Sequence, residues 1–402
     1  MDEKDKLTNI IKEKISEIIE FYNSDHKEIQ SIGLHEGTSG ILLLKYMHYL
    51  KHKTTTTKDQ IIKHIDRIYY SLEHLEEITP ELSTGLAGLG LILSLINKED
   101  DFDFNTLLLE IKDVLKTVLD KYLQEKNHDI LHGSLGLGLF FIDAEEYLEV
   151  EKIILQLEKL SLKDSNNSLK WSRFDESINE EIIDYGLAHG ISGIIYFLGK
   201  SFEHGILKDE CEKLIVQATN FLEQNLQDFD KIGSYYPSKH ISSLLERGES
   251  VSHSSRFAWC YGDLGILNTL LLTSRWTKNK ILEEKVIFRL LKNTKRKSYS
   301  ETLINDCCFC HGTSGVSLIY LNCYDITGEE EFLRTSLYWL NETIKKGHHD
   351  ITTSTCRYLF NSAPGKFKPD SNLLSGLGGV LLLYLSHAYP DLIFWKKFLF
   401  LQ

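Results

Sequence analysis

Three of the seven cysteines in this chain lie within four positions of one another. They are Cys307, Cys308 and Cys310, and His311 follows directly. Thiolate and imidazole groups are ligands that Zn²⁺ prefers, so a metal site is one interpretation of the cluster. Half of a zinc ribbon, a redox-active pair and a buried apolar corner are the others. The rest of the chain has to decide among the four.

Two of these interpretations find no support elsewhere in the sequence. A zinc ribbon needs a second Cys-x-x-Cys, and the sequence contains none. A redox Cys-x-x-Cys usually opens a helix in a βαβ unit, which is not predicted here. Cysteine is also a common small core residue, and we expect Cys307 and Cys308 to pack or to support a metal ligand. A simple packing role is expected for Cys211, Cys323 and Cys356.

The composition predicts a helical globular protein. The 402 residues are 42% hydrophobic and 26% charged, and only five of them are proline. This balance is typical of soluble globular chains, and the scarcity of helix breakers favours an all-α fold. The formal net charge of −13 argues against a nucleic-acid partner, because phosphate binding needs clustered Lys and Arg.

The distribution of apolar residues predicts a cytoplasmic location. No stretch approaches the ~18 uninterrupted apolar residues of a membrane span. The first residues lack the apolar core of a signal peptide. An odd number of cysteines without an export signal indicates reduced thiols.

A Gly-x-x-Gly motif followed by an apolar run recurs seven times. The apolar run predicts a buried helix after each motif, because such a helix has no polar face. Amphipathic segments such as residues 60–75 and 104–123 predict a second helix in a repeat. One copy would indicate only a tight turn, whereas seven predict a repeat protein built from helical hairpins. The first glycines of the copies are Gly37, Gly85, Gly133, Gly190, Gly262, Gly312 and Gly376.

Stacked hairpins can form an open solenoid or a closed ring. An open solenoid usually keeps a near-constant repeat length and ends in polar capping repeats. Here the first glycines are separated by 48 to 72 residues, and the last repeat is as apolar as the middle ones. We therefore predict one domain over residues 1–402, an α/α toroid with seven inner and seven outer helices. The motifs would gather at one end of the ring, under the polar inserts at residues 162–181, 230–255 and 354–372.

Alignment on the first glycine predicts which side chains share one height of that ring. The position two residues before it holds Cys260 and Cys310, and the next position holds His132, His189 and His311. Two thiolates and one imidazole suit Zn²⁺ with an open fourth position, which is the pattern of catalytic zinc. Adjacent Cys310 and His311 can both bind one ion because the loop before a helix is not helical.

These motifs resemble the lanthionine synthetase C-like family. The resemblance rests on Cys-Tyr-Gly at 260–262, Cys-His-Gly at 310–312 and Ala-His-Gly at 188–190, in this order and spacing. The seven glycine motifs extend it over essentially the whole chain, which is most similar to the stand-alone cyclases of class I lanthipeptide biosynthesis. The resemblance implies an α/α toroid with one catalytic Zn²⁺ held by Cys260, Cys310 and His311.

The resemblance also implies the catalytic residues. The family's catalytic histidine corresponds to His189, its aspartate to Asp129, and an arginine four residues before the first zinc cysteine to Arg256. His132 departs from the family's pattern, and its role is open between acid–base chemistry and a hydrogen bond at the rim.

The implied reaction is ring closure in a dehydrated precursor peptide that consists of a leader and a core. A cysteine thiol adds to dehydroalanine or dehydrobutyrine, and a thioether forms. We expect His189 to protonate the enolate, Asp129 to orient His189 or take the thiol proton, and Arg256 to stabilise the enolate oxygen. A dehydratase and a transporter are the further partners implied, in a complex that would bring the protein to the membrane periphery.

Two other functions stay open at this point. A zinc-dependent transferase that joins glutathione to a dehydrated residue would use the same ligands. A non-catalytic peptide-binding scaffold would use structural zinc, and it predicts a closed four-ligand site completed by Cys307 or Cys308.

Overall fold

The computed structural model describes residues 3–24, 29–99, 102–164, 166–249, 253–347, 356–363 and 365–402. This part of the chain is mainly helical. The helices are α1 (Glu3–Ser24), α2 (Thr38–His52), α3 (Thr55–His74), α4 (Leu86–Ile96), α5 (Asn105–Gln124), α6 (Ser134–Asp143), α7 (Tyr147–Leu160), α8 (Ile191–Glu203), α9 (Lys208–Gln224), α10 (Phe229–Ile232), α11 (Ser242–Glu246), α12 (Asp263–Trp276), α13 (Lys280–Asn293), α14 (Tyr299–Thr302), α15 (Thr313–Thr327), α16 (Glu330–Lys346), α17 (Leu377–Ala388) and a 3₁₀ helix, Phe394–Leu399. The strands are β1 (Leu162–Lys163), β2 (Leu169–Lys170), β3 (Arg173–Asp175), β4 (Glu180–Asp184), β5 (Lys239–Ile241), β6 (Phe360–Ala363) and β7 (Lys366–Lys368).

Seven of the described helices begin one residue after the first glycine of a motif. They are buried on almost every side; in α17, every residue from Leu377 to Ser386 is buried. Apolar residues all round the helix explain this, because no face of the helix is suited to water. The structure confirms the predicted buried helix after each motif. These inner helices are α2, α4, α6, α8, α12, α15 and α17.

The glycines allow a loop to fold back over the start of each inner helix. A Cβ atom on Gly85 would lie 1.8 Å from the carbonyl oxygen of Thr79. That oxygen accepts a hydrogen bond of 2.9 Å from the backbone N–H of Leu86, one of the N–H groups left free at a helix start. A side chain at Gly85 would push the loop away and leave this group without its acceptor.

The chain forms two compact units. The first comprises Met1–Ile111 and Asn305–Leu399, and the second comprises Lys112–Ile304 and Phe400–Gln402. In the first unit the inner helices pack in the order α15, α17, α2 and α4. The last inner helix of the chain is therefore the direct neighbour of the first, which an open solenoid would place at its opposite end. The prediction of a single domain over residues 1–402 stays a prediction.

Amphipathic helices cover the inner ones. In the first unit α3 packs on α2 and α16 on α15; in the second unit α7 packs on α6, α9 on α8 and α13 on α12. The seventh repeat differs from the predicted hairpin, since its inner helix α17 is followed by the short 3₁₀ helix and packs against α1. Buried Ile11, Ile15 and Ile18 supply the apolar face of α1. The seventh repeat thus takes its outer helix from the start of the chain.

The polar inserts contain the strands. In the second unit β3, β4 and β5 form an antiparallel sheet in that order, and Arg173 pairs with Ile182. Strand β4 ends at Asp184, directly before the loop of the fourth motif, so the sheet is joined to that loop. Residues 165, 250–252, 354–355 and 364 of the predicted inserts lie outside the described residues.

None of the described helices is both long and apolar enough to cross a membrane. The apolar helix α17 has 12 residues, whereas α1, with 22 residues, carries charges along its length.

Candidate metal centre and active site

In most of the loops before the inner helices, the residue six positions before the first glycine accepts hydrogen bonds that hold the loop against the helix start. In the loop before α15, Asp306 Oδ1 accepts from the N–H of Cys308 at 3.1 Å, and the Asp306 carbonyl oxygen accepts from Thr313 N at 3.1 Å. Asn127 and Asp370 act in the same way before α6 and α17. This arrangement was not predicted, because the residues at that position differ in type from loop to loop. They are Ser31, Thr79, Asn127, Asp184, Arg256, Asp306 and Asp370.

Backbone hydrogen bonds align the position two residues before the first glycine from loop to loop. In the first unit, Cys310 N donates to Leu374 O at 2.9 Å, and Leu374 N donates to His35 O at 3.0 Å. In the second unit, Ala188 N donates to Cys260 O at 3.3 Å. Cys260 and Cys310 both occupy this aligned position, each within its own unit.

Two sets of three side chains in the described residues could hold a metal ion. One set is Cys260, Cys310 and His311, the three predicted ligands. The other is Asp306, Cys308 and His311, all in the first unit, with their ligand atoms within 4.8 Å of one another. Two thiols and one imidazole form a donor set that suits Zn²⁺, whereas Mg²⁺ and Ca²⁺ prefer oxygen ligands. The residues of the first set therefore fit zinc.

Cys307 and Cys308 have different surroundings from Cys310. Cys307 is buried, and this burial, assisted by the charge of Asp306, raises the pKa of its thiol well above the usual range. Cys308 Sγ accepts from the backbone N–H of His311 at 3.4 Å, so it supports the turn that carries a predicted ligand. Among the described residues, neither thiol joins the set of Cys260, Cys310 and His311. The four-ligand site that the scaffold interpretation needs therefore finds no support in these residues.

The structure brings His189 and Asp129 together from different repeats of the second unit. His189 Nδ1 lies 2.6 Å from Asp129 Oδ2. The other carboxylate oxygen, Asp129 Oδ1, accepts from the backbone N–H groups of Leu131 and His132, at 2.7 and 2.8 Å. Both oxygens of Asp129 are thus engaged, and the imidazole is held in one orientation.

The electrostatics of the pair favour a protonated imidazole. Burial alone would lower the pKa of His189, but the hydrogen bond and charge of Asp129, with a further contribution from Asp184, raise it. Burial likewise opposes ionisation of Asp129, yet the hydrogen bond and charge of His189 lower the pKa of this carboxyl. The pair therefore binds the imidazolium proton more tightly than a free histidine would, which is the direction that suits a general acid.

Aromatic rings from two neighbouring loops flank His189. The His132 ring is nearly parallel to it, at an angle of 14° and a centroid distance of 6.1 Å. The Tyr261 ring lies at 5.9 Å, and burial raises the pKa of its phenol above the usual range. Because Tyr261 directly follows Cys260, His189 lies against the loop that presents a predicted metal ligand.

Arg256 belongs to the same loop as Cys260. Its side chain is partly buried and forms no hydrogen bond or ion pair within the part of the chain that the structure describes. Its carbonyl oxygen would lie 1.9 Å from a Cβ atom on Gly262, whose φ of +90° also favours glycine. The close approach of these backbones fixes the loop between Arg256 and Gly262.

Two residues beside His189 were not predicted. Arg173 Nη2 donates to Asp184 Oδ2 at 2.9 Å, and Asp184 is buried. Both residues line a small cleft with His189 and His128, which has a volume of about 10 Å³. Asp184 is one of the loop residues six positions before a first glycine, whereas nothing in the sequence marks Arg173.

Seven motif-led inner helices, with the last packed on the first, are typical of a helical toroid, and two thiols and one imidazole in it could hold a metal ion. The chain belongs to the lanthionine synthetase C-like family, whose model matches residues 28–400.

Individual relatives agree with this assignment. The nisin biosynthesis protein NisC of Lactococcus lactis subsp. lactis is 23% identical over 320 residues, which cover 73% of this chain and 74% of the relative. The lacticin 481/lactococcin biosynthesis protein LcnDR2 of the same organism is 25% identical over 289 residues, which cover 67% of this chain and 27% of that longer protein. The solved structure of nisin cyclase matches with a TM-score of 0.79 at 20% identity, over 97% of each chain. The match confirms the predicted α/α toroid.

Proposed function

We propose that this protein is a zinc-dependent cyclase that closes thioether rings in a dehydrated precursor peptide. Cysteine thiols of the peptide would add to dehydroalanine or dehydrobutyrine and give lanthionine or methyllanthionine. Membership of the lanthionine synthetase C-like family and similarity to a nisin biosynthesis protein support this activity.

One observation carries the proposal. A histidine held by a partly buried carboxylate lies against the loop that presents Cys260, with the rings of His189 and Tyr261 5.9 Å apart. Addition of a thiol to a dehydroamino acid needs an activated thiol and a proton donor for the carbon next to the carbonyl group. A thiol–imidazole metal set and a carboxylate-held imidazole supply these two needs.

The residues that would hold zinc are Cys260, Cys310 and His311. Zinc at this position would lower the pKa of a substrate thiol that binds it, and so make the thiolate available near neutral pH. Cys310 and His311 are partly exposed, so substrate can reach this side of the set.

The protein's own side chains handle the protons and the developing charge. As the new S–Cβ bond forms, the electron pair of the Cα–Cβ double bond moves towards the carbonyl group and gives an enolate. His189 then donates its proton to Cα, while Asp129 holds the imidazole in place. Arg256 would stabilise the enolate oxygen. The thiol proton leaves to solvent or to Asp129.

The same proposal defines partners and location. The substrate is the precursor with its leader and core, and the negative charge of the protein tolerates a neutral or basic peptide. A dehydratase that supplies the substrate and a transporter that removes the product are the proposed further partners. We place the protein in the cytoplasm, with such a complex as its link to the membrane periphery.

Incubation with the dehydrated precursor encoded nearest this gene tests the function. Cyclisation consumes free thiols, read out by alkylation, and leaves the peptide mass unchanged. A glutathione transferase would instead add the mass of the thiol when glutathione is present. A peptide that keeps all its thiols and its mass in the presence of the zinc-loaded protein would contradict the proposal.

A further inference from the structure

We propose that Arg173 is a positioning residue that acts through Asp184 on His189, and that the β3–β5 sheet is thereby part of the catalytic apparatus. The inference rests on the proposed function, because it concerns the residue assigned as the acid of ring closure. It assigns a role to the insert between the third and fourth repeats.

Asp184 joins the sheet to the loop of His189. Its Oδ2 atom accepts from Arg173 Nη2 at 2.9 Å, and its Oδ1 atom accepts from the backbone N–H of Gly186 at 2.9 Å. A Cβ atom on Gly190 would lie 2.4 Å from the Asp184 carbonyl oxygen. Asp184 therefore contacts both ends of the short segment that carries His189.

Arg173 supplies the cation that this buried carboxylate needs. The Asp184 side chain is only 2% exposed, whereas that of Arg173 is 34% exposed. A buried charge that loses its partner is strongly unfavourable, and Asp184 could regain hydration only by moving towards solvent. Because Asp184 holds Gly186 and packs on Gly190, that movement would displace His189 from Asp129.

The shared cleft places Arg173 next to the acid itself. Arg173, Asp184 and His189 all line it, and Arg173 Nε is buried without an acceptor among the described residues. A buried N–H without an acceptor destabilises a fold, so this arginine is not placed for stability alone. The other groups that face His189 are Asp129 and His132 from the loop before α6, and Tyr261 from the loop before α12.

A double-mutant cycle tests the route through Asp184. The variants are Arg173→Gln, Asp184→Asn and both together, with Arg173→Lys as the conservative change. Lys213→Gln is the matched control, since it breaks the 2.7 Å ion pair with Glu158 between α9 and α7 of the same unit and involves no residue of the sheet. For each protein we would measure kcat and KM for thiol loss in the dehydrated precursor, together with zinc content and thermal stability.

The expected kinetic result is a loss in kcat with KM nearly unchanged. Arg173→Gln should lower kcat by about 10- to 100-fold, as is typical for residues that orient a catalytic group. Arg173→Lys should recover most of it, and the double variant should be no worse than Arg173→Gln. Zinc content should stay at the wild-type level, and Lys213→Gln should behave as wild type. A raised KM with unchanged kcat, or additive losses in the double variant, would overturn the proposal in favour of direct substrate contact.

An NMR measurement without substrate tests the role of Arg173 independently of the cyclase activity. The Nδ1 proton between His189 and Asp129 should give a far-downfield NMR resonance in the zinc-loaded protein labelled with ¹⁵N-histidine, assigned by its loss in His189→Asn. Arg173→Gln and Asp184→Asn should shift or broaden it, and Lys213→Gln should not. An unchanged resonance in Arg173→Gln sinks the positioning role, even if wild type cyclises its peptide. A wild type without cyclase activity refutes the proposed function, while the resonance still tests Arg173.

Discussion

Four residues before its first glycine, the loop preceding α6 carries the Asp129 carboxylate, and the loop preceding α15 carries the Cys308 thiol. Both side chains accept a hydrogen bond from the histidine that precedes the glycine. The distance is 2.8 Å from His132 N to Asp129 Oδ1 and 3.4 Å from His311 N to Cys308 Sγ. The two loops share one backbone arrangement, although they lie in different units.

The two acceptor side chains differ in whether a further acceptor atom remains for a second partner. Asp129 has a second oxygen, and this oxygen binds His189 at 2.6 Å. Cys308 has a single, weakly accepting sulfur, which the turn already uses. In the loop before α15 the carboxylate is instead Asp306, two residues earlier, whose Oδ2 lies 3.7 Å from His311 Nε2. The same turn therefore holds the proposed acid His189 in the first case and the proposed metal ligand His311 in the second, because the carboxylate occupies a different position in each loop.

The largest effect is expected from removal of a metal ligand in the α15 loop. Cys310→Ala should remove zinc and lower the cyclisation rate by at least about 10³-fold, since a metal supplies several kcal/mol of stabilisation. Metal analysis of the purified variant and the thiol-alkylation assay measure the two losses. Cys307→Ala is the control, because this buried thiol lies outside the ligand set and its loss should cost stability but not zinc. A fully active, zinc-free Cys310→Ala protein would contradict the metal site.

The next largest effect is expected from replacement of His189, which Asp129 in the loop before α6 holds in place. His189→Asn should keep its zinc and lose about 10²- to 10⁴-fold in rate, because the amide cannot donate a proton to the enolate. Zinc content separates this loss from the loss in Cys310→Ala. If the variant retains wild-type kcat, another group protonates Cα and the assignment of His189 is wrong.

The proposed metal ligands could be predicted from the sequence, because they recur at fixed positions relative to the motif glycines. Cys260, Cys310 and His311 occupy fixed positions relative to glycines whose role in helix starts is local. Alignment of the repeats is therefore enough to propose them as one set. The inner helices are predictable for the same reason, since their apolar character is continuous in sequence.

The unpredicted features depend on contacts between distant segments. Arg173 lies on a strand of three residues, too short for a periodic signal, and it meets Asp184 only because the strands pair. The outer partner of α17 is α1, from the opposite end of the chain, which no local pattern indicates. The supporting residue six positions before each first glycine is hidden because its type varies from serine to aspartate and arginine.

A smaller effect is expected when the second oxygen of Asp129 loses its charge. Asp129→Asn keeps an acceptor for the turn but removes the negative charge that raises the pKa of His189. We expect kcat to fall by about 10- to 100-fold at neutral pH. We also expect the alkaline limb of the pH profile of kcat to move to lower pH, because the pKa of His189 falls. The pH profile of kcat, measured with wild type as reference, checks both expectations. An alkaline limb at the wild-type position would show that the charge of Asp129 does not act on the acid.

The same substitution should affect stability in a pH-dependent way. The raised pKa of His189 adds stability that is complete below the unfolded value near ~6.5 and is lost as the pH rises through the folded value. The lowered pKa of Asp129 adds stability that is present above about 4 and is lost on acidification. Asp129→Asn should therefore lower Tm more at pH 6 than at pH 9. Equal losses at the two pH values would contradict the ion pair.

The smallest effect is expected at the equivalent position of the other loop. Cys308→Ala removes one weak acceptor and a small buried volume, so stability should fall by about 1 kcal/mol or slightly more. Zinc content should be unchanged and kcat should stay within about threefold of wild type, because Cys308 lies outside the set of Cys260, Cys310 and His311. Cys308→Ser, which restores an acceptor of similar size, should recover part of the lost Tm. Loss of zinc in Cys308→Ala would instead make this thiol a ligand, and the two loops would then differ in more than the residue that accepts the turn hydrogen bond.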